Sequence, residues 1–431
     1  MKAMDDGKLI IDNDGKENTQ LLKGWEVKKL KEVCEKITDG THQTPKYFEE
    51  GYIFLSSKNV TSGKIDWDNV KYIDEKQHKE MHKRVAPKVG DILLAKNGTT
   101  GIAAMVDRDV IFNIYVSLAH LSPLKNVSPF YLLHFINSPL AKAQFNKRLK
   151  GVGVPNLHLE EIREVEIPLP PLPEQQRIVA ILDEAFAAIA KAKANAQQNL
   201  QNAKELFESY LQGVFENKGE GWEEKTLKEV TTKIGSGATP KGGNESYKTE
   251  GISLIRSMNV HDFEFRERNL AFIDDKQAKE LNNVTIEEND VLLNITGASV
   301  ARCCIMPKAY LPARVNQHVS IIRAKKEIIN SDFLNFLLTS KFYKDQLLFT
   351  GEQGATRQAI TKAQLEVFRI AFPKSFKTQR TIVQKLDALN AETKKLESIY
   401  QQKINDLEEL KKSVLQKAFA GELKTDKVVA V

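Results

Sequence analysis

The chain has 431 residues, with 63 Lys and Arg against 57 Asp and Glu, so its length suits about two to four domains and its formal charge of +6 permits a polyanionic partner without demanding one. Its three cysteines, Cys34, Cys303 and Cys304, lack any CxxC or Cys/His spacing, which argues against a disulfide framework or a zinc site and for a reducing cytoplasm. No uninterrupted apolar run reaches the roughly 18 residues of a membrane span, and the acidic, amide-rich first residues do not read as a signal peptide.

After a polar arm over 1–23, "GWEVKKLKEV" (24–33) opens a domain expected over 24–173. "EGYIFLSSKNV" (50–60) and "VGDILLAKNGTTG" (89–101) each place an apolar strand behind a glycine turn, and the second runs into a small-residue loop that can bring backbone close to a ligand. "NIYVSLAHL" (113–121) follows, then "SPFYLLHFINSPLAKAQF" (128–145), a capped helical segment with Ser138 and Pro139 at N-cap and first-turn positions. "KGVGVPN" (150–156) closes the domain, and "IPLPPLPEQQRIVAILD" (167–183) crowds Pro168, Pro170, Pro171 and Pro173 into a stiff elbow before a long helix expected over 174–217.

The plan is then used again. "GWEEKTLKEV" (221–230), "EGISLIRSMNV" (250–260), "ENDVLLNITGASV" (288–300), "NQHVSIIRA" (316–324), "SDFLNFLLTSKFYKDQLL" (331–348) and "TGEQGATRQ" (350–358) repeat the anchors in the same order, within a second domain expected over 218–376. A second elbow, "IAFPKSFKTQRTIVQKLD" (370–387), keeps only Pro373 and is expected to be softer; a helix over 377–420 and a tail over 421–431 follow.

Ile178, Leu182, Ile189 and Leu200 in the first helix, and Leu386, Leu396, Tyr400 and Leu407 in the second, fall at three- and four-residue steps, with Tyr210 also on the first seam. The same stutter in both seams predicts that the helices pack on each other. Chain order makes that pair antiparallel. The expected fold is α+β: two similar α/β domains joined by two long antiparallel coiled-coil helices with pseudo-twofold, cyclic symmetry.

No phosphate loop, HExxH, GxSxG or Asn-Pro-Pro-aromatic run is present in the sequence, and the Glu-x-Lys triplets at Glu26/Lys28 and Glu223/Lys225 are expected by chance. His78 and His82 have helical i, i+4 spacing, which reads as a solvated face, and Cys303–Cys304 reads as packed core. What the chain offers is polar and basic loops on two rigid bodies. In the first domain these present Thr38, Asp39, Thr41 and His42, then Lys58 and Asn59, then Lys96, Asn97 and Thr99, and finally Lys150. In the second they present Ser236, Thr239 and Lys241, then Arg256 and Asn259, then Asn294, Thr296 and Ser299, then Thr356, Arg357 and Gln358. Such groups can reach base edges or hold phosphates, and rebuilding the same loops on two parallel scaffolds favours DNA recognition.

The repeated "GW…LKEV" openings, "GDILL"-type strands, the "IPLPPLPEQQRIVAILD" elbow and the ending "LKKSVLQKAFAGEL" (410–423) resemble the specificity subunit of a type I restriction-modification enzyme over nearly the whole chain. The resemblance implies a protein without catalysis or a cofactor of its own, whose two target recognition domains each read one half of a bipartite, asymmetric double-stranded DNA site. It implies that the helices set the spacing and dock two adenine-N6 methyltransferase subunits, which supply S-adenosylmethionine chemistry. Restriction subunits using ATP and Mg can join these, in bacterial or archaeal cytoplasm and away from membranes. The alternatives are a stand-alone duplicated DNA-binding adaptor or regulator, and a nuclease or self-sufficient modification enzyme.

Overall fold

The computed structural model describes residues 24–60, 63–98, 100–149, 156–352 and 359–423, preceded by an antiparallel strand pair, Leu9–Ile11 with Glu17–Thr19. Thr99, Lys150, Thr356, Arg357 and Gln358 lie outside the described residues. The chain divides into two units, 1–196 with 402–431 and 197–401, so the boundary cuts both long helices and each unit holds one half of each. No helix among the described residues is long and apolar enough to cross a membrane.

In the first unit, Gly24 takes a positive φ of 83° and the chain enters strand Glu26–Lys29, which pairs antiparallel with the elbow strand Glu166–Leu169. A one-turn helix, Leu30–Val33, leads into a four-stranded sheet in the order Cys34–Asp39, Leu118–Pro123, Ile92–Ala95, Ala103–Met105. Ile92–Ala95 is buried throughout because both faces of the sheet are covered: Ile92 and Leu94 pack towards Tyr131 and Phe135, whereas Leu93 and Ala95 pack towards Leu55 and Phe112. A second sheet sets Tyr52–Leu55 between Lys71–Ile73 and a parallel neighbour, Phe112–Ile114.

The second unit repeats this. Its sheets run Thr231–Ser236, Val319–Ala324, Val291–Asn294, Cys303–Ile305, and Ala271–Ile273, Ile252–Ile255, Ala313–Val315, while Trp222–Thr226 pairs with its elbow strand Arg369–Pro373. Val291 and Leu293 face one core and Leu292 the other, the same alternation as before. Cys303 and Cys304 are 0% and 1% exposed, and burial pushes the Cys304 thiol up to about 12.

Each helical segment is two helices, and in the first unit the restart falls at the Ser138–Pro139 cap read from sequence. Ser128 and Ser138 cap Pro129–Ile136 and Pro139–Arg148, and Ser331–Thr339 is followed by Lys341–Glu352. The Ser-Pro pair restarts the helix because serine accepts a first-turn N–H and proline gives none.

The long helices span Leu172–Glu216 and Phe376–Phe419, 45 and 44 residues. Ile178, Leu182 and Ile189 are buried, as is Leu386, while Leu200, Leu396, Tyr400 and Leu407 are half-buried. Within the first unit the two helices run antiparallel: Ile178 and Leu182 share a core with Leu415, Ala418 and Phe419, Lys411 lies over the Phe186 ring, and Lys193 Nζ reaches Glu408 Oε1 at 2.6 Å. One expected seam position fails. Tyr210 is 42% exposed, and Phe207, Leu211 and Phe215 turn in instead, because four-residue steps from Ala203 carry the buried stripe into the core of the second unit. The second elbow, with its one proline, holds a buried glutamine, Gln379, that makes the bonds Gln175 makes in the first.

Candidate nucleic-acid interface

In the first unit the loops singled out from sequence converge on one connector, Tyr115–Val116–Ser117, between strands Phe112–Ile114 and Leu118–Pro123. Thr41 N–H donates to Ile114 O at 3.0 Å and Thr41 O accepts from Val116 N at 2.9 Å. Tyr115 N–H donates to Leu55 O at 2.8 Å, Ser57 N–H to Ser117 Oγ at 3.0 Å, and Lys96 N–H to Ser117 O at 3.0 Å. Leu157 N–H then donates to Lys96 O at 2.8 Å, bringing in the segment that follows Asn156. Four stretches far apart in sequence thus share a backbone frame, with the backbone groups named here satisfied across it.

The second unit builds the same hub on Asn316–Gln317–His318. Gly237 N–H donates to Asn316 O (3.1 Å), Asn316 N–H to Ile255 O (3.0 Å), Ile295 N–H to His318 O (3.0 Å) and Ile360 N–H to Ile295 O (2.8 Å). One glycine in each unit makes the approach feasible. A Cβ on Gly40 or on Gly237 would stand 1.9 Å from the carbonyl oxygen of Ile114 or of Val315, a separation no side chain tolerates.

The side chains on the two hubs differ. Asp39, 2% exposed, accepts from Lys96 Nζ at 2.8 Å and Arg84 Nη2 at 2.6 Å, and His42 Nε2 lies 3.3 Å away. Burial opposes the Asp39 charge, but Lys96 and Arg84 outweigh it and hold the carboxyl below its ordinary value. At the second hub the side-chain contacts are hydrogen bonds: Thr296 Oγ1 sits 2.5 Å from His318 Nδ1, and Thr239 donates to the Gln317 amide oxygen.

Of the residues picked from sequence, His42, Lys58 and Lys241 are exposed and Thr38, Thr41, Asn97, Ser236, Thr239, Thr296 and Ser299 are half-buried around the hubs. Others turn inward. Asn59 accepts from Ser56 N at 2.9 Å and donates to Asn69 O at 3.0 Å; Asn259 accepts from Arg256 N at 3.1 Å and donates to Arg266 O at 2.8 Å. Asn294, fully buried, donates to Ser257 O at 2.9 Å. These three amides peg the loops and do not project from them. Lys96 is consumed by Asp39, and Arg256 donates to Asn269 O while lying 5.3 Å from the Tyr247 ring centre.

Arg84, Gln317 and His318 escaped the sequence reading. Arg84 reaches the hub across 45 residues with no local motif, and matching "NIYV" (113–116) to "NQHV" (316–319) is two residues out of register with the structure, which sets Tyr115–Val116–Ser117 against Asn316–Gln317–His318. His78 corrects another expectation: it is 9% exposed, stacked on Tyr52 at 3.9 Å with Nδ1 2.9 Å from Asn113 Nδ2, so the pair with His82 is packing and not a solvated face. Among the described residues no group of three or more His, Cys, Asp or Glu could hold a metal ion.

Two copies of one scaffold, each closing polar loops around a connector whose side chains are not shared, define a duplicated recognition protein. Residues 22–200 and 219–409 match the family described as type I restriction modification DNA specificity domain, and the chain belongs to that family. It is 24% identical over 429 residues to the putative type I restriction enzyme MjaX specificity subunit of Methanocaldococcus jannaschii, covering 94% of this chain and 95% of that one. It is also 22% identical over 431 residues to the EcoKI specificity subunit of Escherichia coli K12, covering 94% and 90%. Among solved structures, the HsdS subunit of Thermoanaerobacter tengcongensis matches with a TM-score of 0.59 at 20% identity, covering 93% of this chain and 97% of that one. A chain from a study of complex assembly and conformational transition of the type I R-M system matches with a TM-score of 0.74 at 20% identity, covering 94% and 100%. The chain is a type I restriction-modification specificity subunit, and DNA recognition is its role.

Proposed function

We propose that each hub reads one half of a bipartite, asymmetric double-stranded DNA site, and that the long helices fix the unread spacing and dock two adenine-N6 methyltransferase subunits. Methyl transfer then belongs to those partners with their S-adenosylmethionine, and cleavage to restriction subunits using ATP and Mg, in the cytoplasm of a bacterium or archaeon. The observation that carries the reading is the repeated hub: the backbone bonds recur, while Asp39, Arg84 and Lys96 in one are replaced by a Thr–His and Thr–Gln network in the other. Hubs that differ in side-chain charge and in donor and acceptor pattern favour different bases, which supports an asymmetric target.

Exchange of residues 24–173 for the corresponding domain of another specificity subunit, followed by a genome-wide map of methylated adenines, tests this. One half of the methylated motif should change and the other should stay. A change in both halves would refute modular reading, and a motif made without any methyltransferase subunit would refute the division of labour.

A further inference from the structure

The elbow between each domain and its long helix contains a buried amide that nothing in DNA reading requires. Gln175 is 1% exposed and Gln379 is 0% exposed, and each stands at the fourth position of its long helix. Gln175 Oε1 accepts from Ser128 N at 2.8 Å, while its Nε2 donates to Pro170 O at 2.8 Å and to Asn126 O at 3.2 Å. Gln379 Oε1 accepts from Asn330 N at 2.8 Å, while its Nε2 donates to Pro373 O at 2.8 Å and to Ile328 O at 3.0 Å.

Ser128 and Asn330 are the N-caps of the helix that packs beside the elbow in each unit. Each glutamine therefore joins three pieces: the first turn of the long helix, the end of the elbow strand, and the loop entering a domain helix. All six partners are backbone groups. That explains why the surrounding residues differ between the copies while the glutamine does not: a carboxylate offers no donor, an asparagine is shorter by a methylene, and an ammonium offers no acceptor.

The elbow strand is held a second time, by different means. In the first unit Tyr131 OH donates to Pro168 O at 2.6 Å; in the second, Ala371 N–H donates to Tyr343 OH at 2.8 Å. The two tyrosines come from different helices of their units, yet both act on the same position of the elbow strand. The same point is tethered by unrelated side chains, which marks the elbow's geometry, and not any particular sequence, as what the fold preserves.

We infer that Gln175 and Gln379 are positioning residues that fix the angle at which each long helix leaves its recognition unit, and thereby the spacer length that the complex accepts. This rests on the reading that the helices set the spacing. Prolines stiffen the first elbow locally, but the amide is common to both and ties the helix to the domain itself.

The test uses the full chain co-produced with its methyltransferase partner and a plasmid library in which the two half-sites are separated by the native spacer or by one base pair fewer or more. Gln175→Met and Gln379→Met keep volume and remove the bonds. Each should raise methylation of off-length sites relative to native-length sites by about tenfold, with both half-site sequences unchanged. Gln379→Glu and Gln175→Glu, which retain only the acceptor, should act in the same direction and decide the matter if the methionine variants do not fold. A lowered melting temperature with unchanged spacer selectivity would overturn the inference in favour of a purely structural amide, as would loss of folding in all four variants. Absence of any bipartite motif with the wild-type chain would instead remove the underlying reading, and the inference with it.

Discussion

Asp39 shows how much of a hub can rest on one carboxylate. It takes bonds from a lysine that is itself 6% exposed and from a half-exposed arginine, so Asp39→Asn would strand the Lys96 ammonium inside the protein. Removing one partner of a buried pair costs about 3–5 kcal/mol, whereas replacing both is often near neutral. Denaturant unfolding monitored on the first unit should therefore show a large loss for Asp39→Asn and recovery of most of it in Asp39→Asn/Lys96→Met. Because the folded pKa is depressed, the stabilisation is present above the ordinary aspartate value of about 3.9 and is lost as pH falls through the lower folded value. Acid titration of the wild type should show this loss below pH about 4, and Asp39→Asn should lack that component.

The same scale exposes the limit of sequence reading. Polar loops were legible, but whether an amide serves its own loop or a ligand is decided by distance alone. Asn59, Asn259 and Asn294 turned inward; His42 and Lys241 did not. Nothing in the letters separates them.

Elements were easier to read, because burial on two faces or one leaves a period. Ile92–Ala95 and Val291–Asn294 are apolar runs with both sides covered, and the long helices carry a stripe that follows the buried face until Tyr210. The seam went astray there because a stripe continues at either three or four residues, and only the partner core selects between them. How elements meet at the hub was not legible, save for one indirect trace: Gly40 and Gly237 are where a strand end must lie against another backbone. Gly40→Ala should force that approach apart, destabilising the first unit by at least about 2 kcal/mol and degrading recognition of one half-site only. Methylation of targets altered in one half at a time measures this, and Gly237→Ala should produce the mirror result.

The duplication was the most legible feature of the whole molecule, since anchors recur in order, and the antiparallel pairing read from chain order already carries the end of the chain back to the first unit. Residues 402–431 belong to it, and Leu415, Ala418 and Phe419 complete its core. Phe419 is fully buried, with its ring edge-on to Tyr131 at 5.2 Å and to Phe135 at 5.4 Å; Phe215, 204 positions earlier, does the same in the second unit against Phe333 at 5.4 Å. Each long helix thus ends by inserting a phenylalanine into a recognition core. For the second helix that core was begun nearly 400 residues earlier, so the core of the first unit is complete only with contacts of high sequence separation from the end of the chain. Phe419→Ala should cost about 3–5 kcal/mol and should raise hydrogen exchange first in residues 24–196, not in the 197–401 unit that immediately precedes most of the mutated segment in sequence. Phe215→Ala should do the opposite. Equal loosening of both units by either substitution would show that they unfold as one and that the division at 196 and 401 has no energetic counterpart.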